Sequence, residues 1–407
     1  MGFLGEKFMN DVDKKYIELL RDILENGVEK DTRSGRVKSV FGRQIRFDLK
    51  KGLPLLTTKK VYTKGVIHEL LWFLQRPYNS HGSVNIEYLI RNNVHIWDDD
   101  AYRWFKNNVA NSIKPNKYLV CLNDDNFGVK PQFEYWIEND LRINDENWLK
   151  NITKEEFLDL TLQRVEICGS FMSRYRFGDL GAVYGKQWRS FGRGGIDQIN
   201  NIINTLKTNP NDRRMLCVAF NPDDLDGMAL PPCHVMFQFY TRELTDKERW
   251  ELYRQKYENE PYDDSYGTPH LDIWGDTRLF TYRGEHDHKL DEENIPKYGL
   301  SCMWSQRSVD APIGLCWNII SYGLLTYMIA KLVNMIPDEL IGSLGDCHIY
   351  LNQMDGVQEH LKRNGYDELP KLMIEGDQKY VEDFKYEDFK ITNYKCNPPI
   401  KMPLSTG

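Results

Sequence analysis

The longest apolar run in the chain, Ile319 to Ile336, has to be buried, and the residues that interrupt it decide where. Ser321, Tyr322, Gly323, Thr326, Lys331 and Asn334 punctuate the run, and a lysine and an asparagine are costly in lipid. It reads as the core helix of a folded domain rather than a membrane span. With 407 residues the chain can pack a sizeable core around that helix, and length alone permits two or three domains. Asp13 to Asn26 carries helical apolar spacing and stops at Gly27. Lys38 to Leu49 is strand-like, Lys64 to Gln75 is helical with Pro77 beyond its end, and a further helix is expected from Asp197 to Lys207. Strands are expected around Arg214, Met236 and Met303. Helices and strands mix without regular βαβ alternation, so the expected class is α+β rather than a doubly wound sheet.

Chemistry is most concentrated in Ala229-Leu-Pro-Pro-Cys-His-Val-Met-Phe-Gln-Phe-Tyr240. Two prolines fix φ on the approach to Cys233, and the apolar run from Val235 reads as a buried strand, which puts the thiol at a strand entrance beside His234. A free thiol, with a pKa of roughly 8.5, is only a few per cent thiolate at neutral pH, so a nucleophilic Cys233 needs cationic neighbours. A half-buried packing cysteine is the plain alternative. Candidate cations are the adjacent Arg213 and Arg214 before an apolar run, and Arg307 beside Ser308 at a strand end. Forked guanidinium donors match phosphate oxygens, and a hydroxyl adds another hydrogen bond. Each arginine alone reads as a surface ion pair; together with a nucleophile they suggest an anionic substrate.

The net charge of −7 argues against a chain whose main task is coating nucleic acid. Its eight cysteines show no CxxC pair or metal-ligand rhythm, and no apolar signal opens the sequence. Reduced thiols in a cytoplasmic compartment are expected, with no metal. His286-Asp-His288 reads as part of an ordered surface segment rather than a metal site.

Many separate blocks, in order along the chain, carry a resemblance to the thymidylate synthase family, which transfers one carbon to a pyrimidine nucleotide. They include Asp31-Thr-Arg-Ser-Gly35, Pro54-Leu-Leu-Thr-Thr-Lys-Lys60, Ile67-His-Glu-Leu-Leu-Trp-Phe-Leu74, Ile96-Trp-Asp98, Gly178-Asp-Leu-Gly-Ala-Val-Tyr-Gly-Lys-Gln-Trp188, the Pro-Cys-His segment, Gln306-Arg-Ser-Val-Asp310, Asn318-Ile-Ile-Ser-Tyr322, Leu344-Gly-Asp-Cys-His-Ile-Tyr350 and Ile400-Lys-Met-Pro403. The resemblance implies one catalytic domain over 1–407, built on a large mixed β-sheet with flanking helices, and a dimer formed by sheet-on-sheet packing. Two stretches, about 101–176 and about 242–298, fall outside the blocks. The first resembles a small-domain insertion, with aromatics in a largely helical pattern; the second reads as a surface elaboration between two strands.

Roles follow from the resemblance residue by residue. Cys233 would attack carbon 6 of dUMP, and the one-carbon unit would come from 5,10-methylenetetrahydrofolate. Arg33, Arg213, Arg214 and Arg307 with Ser308 match phosphate-binding positions, Arg213 and Arg214 reaching into the partner's site of a homodimer. Arg307 would also lower the Cys233 pKa. Glu69 would organise water and move protons, with Tyr184 and His234 in the network around the ring. Asn318 would read the base edge as uracil, His348 and Tyr350 the deoxyribose, and Gln187 and Gln306 would give supporting hydrogen bonds. Asp310 would bind the pterin, Lys59 the glutamyl tail, and Ile96, Trp97, Leu230, Gly314 and Trp317 would form the rest of the folate site.

Departures from the family pattern lie around the folate. The usual Pro-Phe before the base-reading asparagine is Cys316-Trp317, the tail ends Leu404-Ser-Thr-Gly407, the loop after Arg33 is one residue short, and Arg76 to Val84 replaces a shorter loop. Water exclusion decides between reductive methylation and hydroxymethylation of dUMP, so a dUMP hydroxymethylase stands as the alternative. A non-catalytic nucleotide-binding regulatory protein on the same fold is the remote third reading.

Overall fold

The computed structural model describes residues 9–77, 84–110, 115–121, 134–135, 146–169, 174–257 and 289–404. The helix Asp11–Asn26 opens at Asn10, whose side chain accepts from the Asp13 amide, and buries Tyr16, Leu20 and Ile23 on one face. It leads into β1 (Val28–Thr32) and β2 (Gly35–Asp48). A small second sheet follows, ordered β4-β3-β5-β6, from β3 (Pro115–Cys121), β4 (Glu134–Tyr135), β5 (Val165–Gly169) and β6 (Arg174–Arg176). Among the described residues of 101–176, helices Asp98–Trp104, Glu146–Asn151 and Lys154–Leu162 stand beside these strands, which exist through pairing across up to about fifty residues and so escape a local periodicity. The helix Lys154–Leu162 opens on a capping box between Thr153 and Glu156.

The main sheet is completed by β7 (Leu216–Val218), β8 (His234–Glu243), β9 (Tyr298–Asp310) and β10 (Ile336–Tyr350), in the order β1-β2-β10-β9-β8-β7. Only β9 and β10 run parallel; the other neighbours are antiparallel, so the sheet is mixed and the class is α+β. A hairpin of β11 (Lys371–Ile374) and β12 (Phe389–Thr392) lies outside it. The apolar run beginning at Ile319 belongs to a helix spanning Gly314–Leu332, long and apolar enough to cross a membrane but mostly buried inside the protein. The helix stops before the run does. Asn334 turns into the left-handed region at φ 53°, a conformation asparagine tolerates, and Ile336 already starts β10. Arg213 and Arg214 sit in the turn before β7 rather than in a strand, held there by Asp212, which accepts from the Arg214 amide (2.7 Å) and pairs with its guanidinium (2.6 Å). In the stretch 242–298, Arg242 joins Glu248 and Asp338 (both 2.9 Å), and the helix Asp246–Lys256 opens on a Thr245–Glu248 capping box. His286 and His288 lie outside the described residues.

Candidate active site

Register alone gathers the nucleotide candidates. Antiparallel β8 and β9 pair His234 with Gln306; parallel β9 and β10 pair Ser308 with Asp346 and Asp310 with His348; antiparallel β10 and β2 pair Tyr350 with Val37, next to the turn that carries Arg33. Cys233, Gln306, Arg307, Ser308, Asp310, His348, Tyr350 and Arg33 therefore converge on one end of the sheet. Arg213 and Arg214 do not. The Arg213 carbonyl accepts from Gln238 (3.0 Å), five residues along β8 from Cys233, or about 16 Å at strand rise.

Cys233 stands one residue before β8, at the strand entrance expected for it. Its amide donates to the Tyr184 hydroxyl (2.8 Å), which leaves the hydroxyl proton of Tyr184 free to donate elsewhere. Burial lifts the Cys233 thiol above its ordinary pKa, and the Arg307 charge only partly opposes it. Arg307 lowers the thiol pKa as expected, but desolvation of the thiolate outweighs this one partly exposed cation, and the net shift is upward. Arg307 also braces the approach: its Nε donates to the Pro232 carbonyl and a terminal nitrogen to the Pro231 carbonyl (both 2.9 Å), while its amide donates to the Cys233 carbonyl (2.8 Å). His234, half-buried and hydrogen-bonded to Asn318, is driven down to about 4 by desolvation and stays neutral at physiological pH. Asn318 Oδ1 accepts from Gln306 Nε2 (3.1 Å), whose Oε1 accepts from the Trp304 indole (3.2 Å), so the amide of Asn318 is oriented from behind.

Beyond the thiol lies Glu69, on the helix Thr63–Leu74. Its carboxylate is buried and accepts the Trp97 indole N–H on Oε1 (2.7 Å) and the Trp317 indole N–H on Oε2 (2.6 Å). Burial pushes its pKa up to about 7 against the pull of both indoles. Trp97 packs on Trp72, Phe73 and Tyr184, an aromatic block that runs to the His234 ring, 5.2 Å from Tyr184. Ile96, more than a third exposed, rims this block, and Leu230 packs partly buried against the core three residues before Cys233.

Asp310 ends β9 and accepts from the Ile313 amide (3.3 Å); burial raises its pKa. The loop to Gly314 is pinned by Tyr16, whose hydroxyl donates to the Ala311 carbonyl (2.7 Å), and by buried Lys59, which donates to the Pro312 carbonyl. Gln187 is a structural tie, donating to Ala182 and Asp224. Gln353 escaped the sequence reading. Fully buried, it accepts from the Tyr350 amide (3.2 Å) and donates to Asp310 (3.4 Å) and to the Pro403 carbonyl of the tail (3.2 Å), linking three groups that the sequence keeps far apart. Nothing local in Asn352-Gln-Met354 signals this.

A sheet end that collects a cysteine, a neutral imidazole, a buried acid and forked cations has the build of a group-transfer enzyme. A family profile described as "Thymidylate synthase" matches residues 14–258 and 286–406. Proteins named thymidylate synthase from Listeria monocytogenes and Listeria innocua are 33% identical to it over 396 residues, covering 96% of this chain and 99% of theirs. The chain belongs to the thymidylate synthase family, and it is a one-carbon transferase of the methyltransferase type.

Proposed function

We propose that the chain reductively methylates dUMP to dTMP with 5,10-methylenetetrahydrofolate, through a covalent bond between Cys233 and carbon 6 of the pyrimidine. The observation that carries this reading is the register of β8, β9, β10 and β2, which brings Cys233 to the same sheet end as Arg307, Ser308, His348 and Tyr350. A phosphate and a deoxyribose held by those groups would fix the ring against the sulfur, so that binding energy is spent on orientation. As the sulfur–carbon bond forms, charge moves onto carbonyl oxygen 4 of the ring. The Asn318 amide, oriented by Gln306, would stabilise it there, and the neutral His234 would add no competing charge. Glu69, near 7, exchanges protons readily at neutral pH.

The folate residues fit a flat heterocycle: the indoles of Trp97 and Trp317 supply walls, and Asp310, tied through Gln353 to the tail, supplies a polar pin. When bound, the folate supplies the one-carbon unit and the hydride. The same reading makes the chain a cytoplasmic homodimer in which Arg213 and Arg214 complete the partner's phosphate site, and takes 1–407 as one catalytic domain with elaborations at about 101–176 and 242–298. It calls for no metal, no membrane and no obligate nucleic acid. Product analysis by mass spectrometry, with dUMP and methylenetetrahydrofolate and with absorbance following dihydrofolate, tests it. dTMP with stoichiometric dihydrofolate is expected; hydroxymethyl-dUMP without dihydrofolate would replace methylation by hydroxymethylation, and no product would overturn both.

A further inference from the structure

Trp317 carries a second function. We propose that it is a positioning residue for proton transfer, holding one oxygen of Glu69 while Trp97 holds the other, so that the carboxylate meets the substrate in a single orientation. The inference rests on the proton-carrying role proposed for Glu69, and it goes beyond that role by assigning what controls it.

Three observations support it. An indole N–H can only donate, so contacts of 2.7 Å on Oε1 and 2.6 Å on Oε2 leave neither oxygen free to rotate away without losing a charge-assisted hydrogen bond. The Trp317 ring is also wedged in place. A Cβ built on Gly65 would fall 2.5 Å from the Trp317 ring edge, so the bare glycine, one helical turn before Glu69, makes the space that the indole occupies. Tyr62 closes the other side, with ring centroids 6.4 Å apart. Finally, Trp317 directly precedes Asn318 at the start of the helix Gly314–Leu332, so the residue that clamps the acid and the residue that faces the base are set by one backbone segment. A phenylalanine at 317 would keep a ring there and supply no donor.

The test titrates the Glu69 carboxyl directly, by infrared difference spectroscopy of the whole enzyme with ¹³C-labelled glutamate, using Glu69→Gln to identify the band. Trp317→Phe removes one hydrogen bond to the ionised form, and the Glu69 titration should move upward by about one pH unit. The matching limb of the kcat pH profile should move the same way, with KM for dUMP changed less than twofold. Gly65→Ala, whose Cβ would crowd the Trp317 and Tyr62 rings while leaving the Trp317 and Glu69 side chains themselves unaltered, should shift the titration in the same direction. An unchanged titration in Trp317→Phe, with Trp97→Phe shifted, would overturn the clamp. Full activity of Glu69→Gln would instead remove the proton-carrying role while leaving the infrared result to decide the clamp.

Discussion

Replacing Glu69 by glutamine should separate stability from function in a way that depends on pH. Burial raises the Glu69 carboxyl from 4.5 to about 7. Below the unfolded value both states are protonated and the site costs nothing. Between 4.5 and 7 the folded state binds the extra proton, so stability falls as pH rises, and above 7 the loss is complete. A rise of about 2.5 units corresponds to about 3 kcal/mol. Glutamine cannot ionise and so loses this slope. It also points an amide N–H₂ at one indole donor, a fixed penalty of about 1–3 kcal/mol that does not vary with pH. Urea unfolding of both proteins, followed by circular dichroism at one fixed protomer concentration, gives the difference in stability at each pH. Between pH 4.5 and 8 that difference should move in favour of Glu69→Gln by about 3 kcal/mol while dTMP formation is lost. Parallel stability curves would refute the raised carboxyl and with it the account of Glu69 as a near-neutral proton carrier.

Cys233→Ala should abolish turnover with folding intact and dUMP affinity within about tenfold by calorimetry; retained turnover would eliminate the nucleophile. Arg213→Ala and Cys233→Ala proteins, each inactive, should regain partial activity when their subunits are mixed, and verified heterodimers without activity would show that the site is not shared. Asn318→Asp should turn base preference from dUMP toward dCMP in competition assays, because a carboxylate no longer donates to carbonyl oxygen 4. Gln353→Leu leaves Asp310, the Tyr350 amide and the Pro403 carbonyl without their shared partner. It should raise KM for the folate several-fold and leave dUMP binding nearly unchanged; equal losses for both ligands would mean that Gln353 supports the fold rather than the folate side.

Local signals were legible where the physics is local. The apolar spacing before Gly27 gave a helix whose observed start, Asp11, lies two residues earlier, and Pro-Pro-Cys-His gave a thiol just outside a strand. Asn334 was visible as a breaker inside the apolar run, yet a helical reading carried past it to Ile336 because leucine, isoleucine and methionine suit a buried strand as well as a buried helix. What stayed hidden depends on partners distant in sequence. Glu69 meets Trp317 across 248 positions, and Gln353 meets Asp310 across 43. The net ionisation of Cys233 stayed hidden for a related reason: the lowering effect of Arg307 can be read from the chain, but the desolvation of the sulfur that outweighs it cannot.

That raised thiol is compatible with nucleophilic catalysis, and the reason lies in where the charge goes. A thiolate in a buried site is penalised while it waits. In the proposed reaction, bonding to carbon 6 would turn the sulfur into a neutral thioether and pass the negative charge to the pyrimidine, so the desolvation that opposes the free thiolate would also drive its consumption. Arg307 serves this exchange from the backbone side. Its three hydrogen bonds to Pro231, Pro232 and Cys233 brace the approach to the sulfur, so the proposed reaction would be favoured by a fixed geometry and a favourable destination for the charge rather than by a large standing population of thiolate.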